Sequence, residues 1–116
     1  MFSSASFAEW KKVHEHSNGD DLYVEFENIR KHGEYVYFWF LIDYLKPTPF
    51  GKLSIKMYRQ SDCKLFRFRT LSRVFHNQPM GRGAGDSQNP EEPEWLYPPP
   101  HSESRFILET VCDHVK

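Results

Sequence analysis

A chain of 116 residues has room for one domain and is long enough to bury about two-thirds of the surface its unfolded form exposes. Its formal net charge of −1, with no block of like charge, excludes the broad attraction that polyanion binders and polybasic membrane anchors rely on. Aromatic residues make up 16% of the chain and strand-like runs outnumber helical ones. The expected class is therefore a β-rich α+β domain.

The opening MFSSASFAEW is too short for a signal peptide and lacks its basic region. Ser6-Phe7-Ala8 nevertheless has the small-x-small form that signal peptidase cuts after, so residues 1–8 read either as the remnant of an export signal or as a disordered tail rich in serine and alanine, ahead of a domain over 9–116. No run is long enough to span a membrane. Trp10 to Glu15 is expected to form a first strand, closed by Ser17-Asn18-Gly19-Asp20, where Asn-Gly is a strong hairpin signal. Leu22 to Glu27 follows as a second strand. Glu27 to His32 reads as one helical turn or tight loop, ended by Gly33 at a position that needs positive φ.

The longest strand signal is Glu34 to Tyr44, EYVYFWFLIDY, where alternation puts Tyr35, Tyr37, Trp39 and Leu41 on one face and Val36, Phe38, Phe40 and Ile42 on the other. Both faces are apolar, so this strand needs cover on both sides. Lys46-Pro47-Thr48-Pro49 breaks the ladder, and Leu53 to Tyr58 resumes it. After the turn Gln60-Ser61-Asp62, Lys64 to Phe75 alternates, with Phe66, Phe68 and Val74 opposite Leu65, Arg67, Arg69, Leu71 and Arg73. His76 to Glu94 loses all periodicity and reads as a long loop. Trp95-Leu96-Tyr97 is a candidate edge strand, and Pro98-Pro99-Pro100 an extended segment. Ser102 then suits the N-cap of a helix running to about Val115, with Leu108, Cys112 and Val115 on one stripe flanked by Ile107 and Val111.

The chemistry-bearing residues are few. Cys63 and Cys112 form no CxxC and lack metal-site partners. They read as a disulfide in an oxidising compartment, worth roughly 4 kcal/mol in the chain-entropy model, or as two buried cytosolic thiols. His14 and His16 share a strand face, but no third ligand is evident, so a solvated pair is the expectation and no metal is assigned. Asp43, at the end of an apolar strand, is weighed as an acid or base against the commoner role of capping a turn or pairing with an arginine. No nucleophile elbow, P-loop or Cys-His pair occurs, so no catalytic residue and no cofactor is assigned, and the chain is not expected to be an enzyme. The run Gly81-Arg82-Gly83-Ala84-Gly85 reads as flexibility. Phe66-Arg67-Phe68-Arg69 has the composition of a single-stranded nucleic-acid platform, but alternation sends its aromatics and arginines to opposite faces.

Taken together, Trp10, Ile29 to Gly33, Trp39 with Asp43-Tyr44, Ser54, Asp62-Cys63, Arg67 to Leu71, Met80-Gly81 with Gly83, and Trp95, Tyr97, Pro100, Ser102 and Val111-Cys112 stand in an order and spacing that resembles the bacterial surface-adhesin protein E family. The resemblance implies an antiparallel sheet with its C-terminal helix tied on by the two cysteines, and with the strand pattern it gives the expected fold, α+β, a single antiparallel sheet of about five or six strands with a C-terminal helix packed on one face. It also implies export to the periplasm or cell surface, and a protein partner such as a host matrix protein. The rival reading is a cytosolic single-stranded nucleic-acid-binding domain. Met80, Gly81, Arg82 and Gly83 form the candidate partner-contacting loop. Because one helix covers one face, Tyr35, Tyr37, Trp39 and Leu41 form a candidate self-association face for a two-fold homodimer.

Overall fold

The computed structural model describes residues 9–116; the expected cleavage after Ala8 lies outside them. Seven strands form one antiparallel sheet: β1 (Lys11–Glu15), β2 (Asp21–Val24), β3 (Arg30–His32), β4 (Tyr35–Asp43), β5 (Ser54–Asp62), β6 (Arg67–His76) and β7 (Gly85–Gln88). One helix, α1 (Glu103–His114), follows them. The order is β1-β2-β4-β5-β6-β7, and β3 also pairs with β4. β2 and β3 therefore share one side of β4, β2 along Phe40–Asp43 and β3 along Tyr35–Tyr37. A 3-10 turn at Phe26–Asn28 separates them, so the helical turn expected over Glu27 to His32 is shorter, and its second half is strand. Gly33 sits at φ 63 as the turn requires.

Every neighbouring pair on the main path is consecutive or joined by a short connection, so the sheet is a meander centred on β4 and β5, which pair over nine residues each. Val36, Phe38 and Phe40 are buried on one face of β4. With Leu22 and Val24 of β2, Phe38 and Phe40 meet Ile107 and Val111 of α1, and Val13, Ile42, Met57 and Phe106 close the margins. This is the core, and burying each of its large side chains contributes about 2 kcal/mol. Ser102 caps the helix by accepting from the Arg105 amide at 3.1 Å. Cys63 and Cys112 form a disulfide with Cα atoms 5.7 Å apart, tying the last turns of α1 to the β5–β6 connection.

Four expectations are corrected. β6 begins at Arg67, because Phe66 turns the chain at φ 54; its ring leaves the strand pattern and lies against Arg105 of α1. An irregularity between Tyr58 and Arg59 then shifts the β5–β6 register. Beyond it Arg73 pairs with Met57 and Val74 with Lys56, so the two exchange the faces that simple alternation gives them. Third, the loop after His76 holds a short 3-10 turn, Pro79–Gly81, and the edge strand β7. β7 starts on a glycine because a Cβ on Gly85 would lie 2.4 Å from the Val74 side chain. Trp95-Leu96-Tyr97 contributes a single bridge, Leu96 to Phe68, in place of a full strand.

The two outer edges differ from the centre. β1 bulges at Val13 and carries Lys11 and Lys12. β7 is four residues long, polar and fully exposed.

Candidate functional site

Away from α1, the sheet carries the residues that alternate with the core: Tyr35, Tyr37 and Trp39 on β4, with Tyr58 and Gln60 on β5 and Arg67 and Arg69 on β6 opposite or diagonal to them. The rings are half-buried. Trp39 and Tyr58 lie 4.9 Å apart between centroids, and Tyr37 and Tyr58 6.2 Å in a stacked pair, so the three form a row across two strands. Trp95 extends it, 5.6 Å from Tyr35. The Arg67 and Arg69 guanidinium groups sit 4.2 and 4.5 Å from the Trp95 centroid, within the range of cation–π attraction.

Polar contacts hold these groups in place. Arg69 Nε donates to Gln60 Oε1 at 2.6 Å, and Gln60 Nε2 donates to the Tyr37 hydroxyl at 2.9 Å. Arg67 Nε donates to Asp62 at 3.1 Å, and the other Asp62 oxygen accepts the Lys64 and Leu65 amides. Burial alone would raise the Asp62 pKa; those two amides and Arg67 outweigh it and hold the carboxyl below its ordinary value. Desolvation pushes the Tyr58 hydroxyl up.

The candidate self-association residues are thus together on one face, except that Leu41 is fully buried. The Pro79–Gly81 turn folds over that end of the sheet, where a Cβ on Gly81 would come 3.3 Å from Leu41 and 3.0 Å from Lys56. The candidate loop Met80, Gly81, Arg82 and Gly83 is held down at its start. Met80 donates its amide to Asp43 at 2.8 Å, and Gly81 donates to Ser54 Oγ at 2.8 Å while that hydroxyl donates to Gln78 O. Asp43 is thereby a turn-capping residue. Arg82 and Gly83 remain exposed.

His14 and His16 both turn toward α1, where His14 lies against Phe106 and His16 pairs with Glu103. Among the described residues no three His, Cys, Asp or Glu side chains are grouped to hold a metal ion, and no helix is long and apolar enough to cross a membrane.

Two features escape sequence reasoning. Arg59 is buried under α1 between the rings of Phe40 and Phe68, 4.3 and 4.2 Å from their centroids. Burial pushes its pKa down to about 9, against the pull of Glu103 and with the help of Arg73, which still leaves a cation at neutral pH. The strand expected over Leu53 to Tyr58 and the turn expected at Gln60-Ser61-Asp62 leave Arg59 between them, whereas β5 runs on to Asp62; nothing local marks an arginine that will sit inside. Second, Arg67 and Arg69 do share a face with aromatic rings, supplied by β4, β5 and Trp95 rather than by their own strand.

Comparison with known proteins agrees with this architecture. Residues 10–113 match the family model described as Surface-adhesin protein E. A crystal form of Haemophilus influenzae protein E is similar at TM-score 0.72 and 15% identity, covering 98% of this chain and 95% of that one. A second structure of Haemophilus influenzae protein E gives 0.69 and 15%, over 96% and 89%. Protein E from non-typeable Haemophilus influenzae gives 0.65 and 15%, over 97% and 82%. No curated protein matches the sequence. With nearly its whole length inside the family model, the chain belongs to the surface-adhesin protein E family.

Proposed function

We propose that the domain is an exported, non-catalytic adhesin-like module of the bacterial cell surface or periplasm that holds a protein partner, a host matrix protein, on the sheet face opposite α1. The observation that carries this is the row Tyr37–Tyr58–Trp39 with the Trp95–arginine stack beside it. Half-buried aromatic residues and arginines are what protein interfaces enrich, and rings fixed on a sheet lose little entropy on binding. Membership of a surface-adhesin family and a disulfide suited to an oxidising compartment support the export reading. The exposed Arg82 and Gly83 extend the contact at one end.

The test is immobilised binding of the purified domain to a panel of matrix proteins. Trp39→Lys is expected to abolish capture while Phe50→Ser, on the exposed tip of the β4–β5 connection, leaves it intact. Capture unaffected by Trp39→Lys would remove the face from the reading. A second copy is the competing occupant, since an uncovered aromatic face also suits a two-fold dimer. Light scattering separates the two: a dimer that dissociates with Trp39→Lys assigns the face to self-association.

A further inference from the structure

We propose that the segment of the partner received on this face is acidic, with its carboxylates drawn to the β6 side and its apolar side chains lying along the row of rings. The inference rests on the reading of the face as a protein contact and names the chemistry of what is held.

It starts from the charges that already have partners. Arg67 meets Asp62, whose side chain is only 7% exposed, so that pair is internally satisfied. Arg69 meets no carboxylate among the described residues; its hydrogen bond goes from Nε to the neutral amide oxygen of Gln60. Trp95 holds the Arg69 guanidinium from one side and Gln60 from the other, while Gln60 is itself fixed by Tyr37. The terminal nitrogens of Arg69 are left as a planar fork, already oriented, which is the geometry that a carboxylate engages with two parallel bonds.

The other acids on the strands of this face lie away from Arg69. Asp21 is 3.3 Å from Lys12, Asp43 accepts the Met80 amide, and Glu25, just after β2, is buried. On the open face of β5 and β6, Lys56, Arg67 and Arg69 thus stand against Asp62 alone, an excess of cations on these two strands in a chain whose formal charge is −1; Glu91, Glu92 and Glu94 precede Trp95 in the chain. Attraction is confined to one flank, with the rings next to it. The clefts lined by His16 and Glu103 and by Cys112 and Phe106 lie beside α1, whereas this face presents its rings and guanidinium groups along adjacent strands, a spacing suited to an extended segment that alternates acidic and apolar side chains.

The probe is a random copolymer of glutamate and tyrosine, tested against the folded, disulfide-bonded domain at a concentration where it is monomeric. Binding is expected, and it should weaken as salt rises through the physiological range. Arg69→Gln should weaken it by about tenfold, the scale of one charge-assisted contact. Arg69→Lys should restore part of that loss, and Lys46→Gln, away from the face, should change nothing. Trp39→Ala gives an independent loss, and the unchanged circular dichroism of Arg69→Gln keeps the test valid if Trp39→Ala misfolds. Equal binding of a lysine–tyrosine copolymer, or no effect of Arg69→Gln, overturns the proposal. So does preference for heparin or single-stranded oligothymidylate over the acidic copolymer, which would assign the flank to another polyanion. If a matrix protein is still captured and lost with Trp39→Lys while the acidic copolymer is not held, the acidic segment falls and the contact face stands.

Discussion

The two faces of this sheet are built from alternate residues of the same strands yet end in different states. Phe38 and Phe40 point toward α1 and are no more than 1% exposed, while their neighbours Tyr37 and Trp39 are only half-buried. The difference lies in what packs on each face. The helix side receives Ile107 and Val111, which bury Phe38 and Phe40 completely and leave only marginal residues such as Ile42 and Met57 partly exposed. Among the described residues, the other side receives a turn at one end and Trp95 at the other, and its rings find partners in one another. The same binary pattern therefore makes a core on one side and a platform on the other, with the polar tips of tyrosine and tryptophan making the platform tolerable in water.

Substitution at neighbouring positions is the sharpest way to break this contrast. Phe38→Ala removes a fully buried ring and should cost about 4 kcal/mol of stability, whereas Trp39→Ala, one residue on, should cost less than half of that; both are read by chemical denaturation. Equal losses would mean that the second face is covered as well as the first. Next in size is the tie that holds the cover in place. Cys112→Ser opens a bond spanning 49 residues and should lower stability by up to about 4 kcal/mol, the entropic ceiling for a loop of that length, with loss of helical dichroism ahead of the sheet signal. Ser102→Ala deprives α1 of its cap at a cost of about 1 kcal/mol, without touching the open face.

The smallest effect is pH-dependent and belongs to the other side. The folded Asp62 pKa is held below its ordinary 3.8, so the stability it contributes is present above that value and is lost as pH falls through the lower folded pKa. Denaturation midpoints should therefore drop in that acid window, and Asp62→Asn should flatten the drop while lowering stability at neutral pH. An unchanged acid limb in the variant would count against the role of the Asp62–Arg67 pair.

Much of this was legible in the chain. The run from Tyr35 to Asp43 could be nothing but a strand, the Ser102 cap and the stripe of α1 followed from helical spacing, and Cys112 faced inward as its place on that stripe required. What alternation could not carry was the register after the irregularity at Tyr58–Arg59, which sends Arg73 and Val74 to faces opposite to those expected. Nor could it place β7, whose Gly-Asp-Ser-Gln has no strand propensity and pairs only because β6 offers it a partner. The arginine–aromatic platform stayed hidden for the same reason: its rings and guanidinium groups come from three strands and a distant tryptophan, and no local window contains them.

The edges of the sheet carry a last consequence. A meander leaves two unpaired borders, and an open border invites lateral growth by strand addition when many copies are crowded together. Here one border is kinked at Val13 and set with lysines, and the other is four short polar residues. A dense array of such domains can thus remain a population of separate molecules, its crowding never drifting into fibrils.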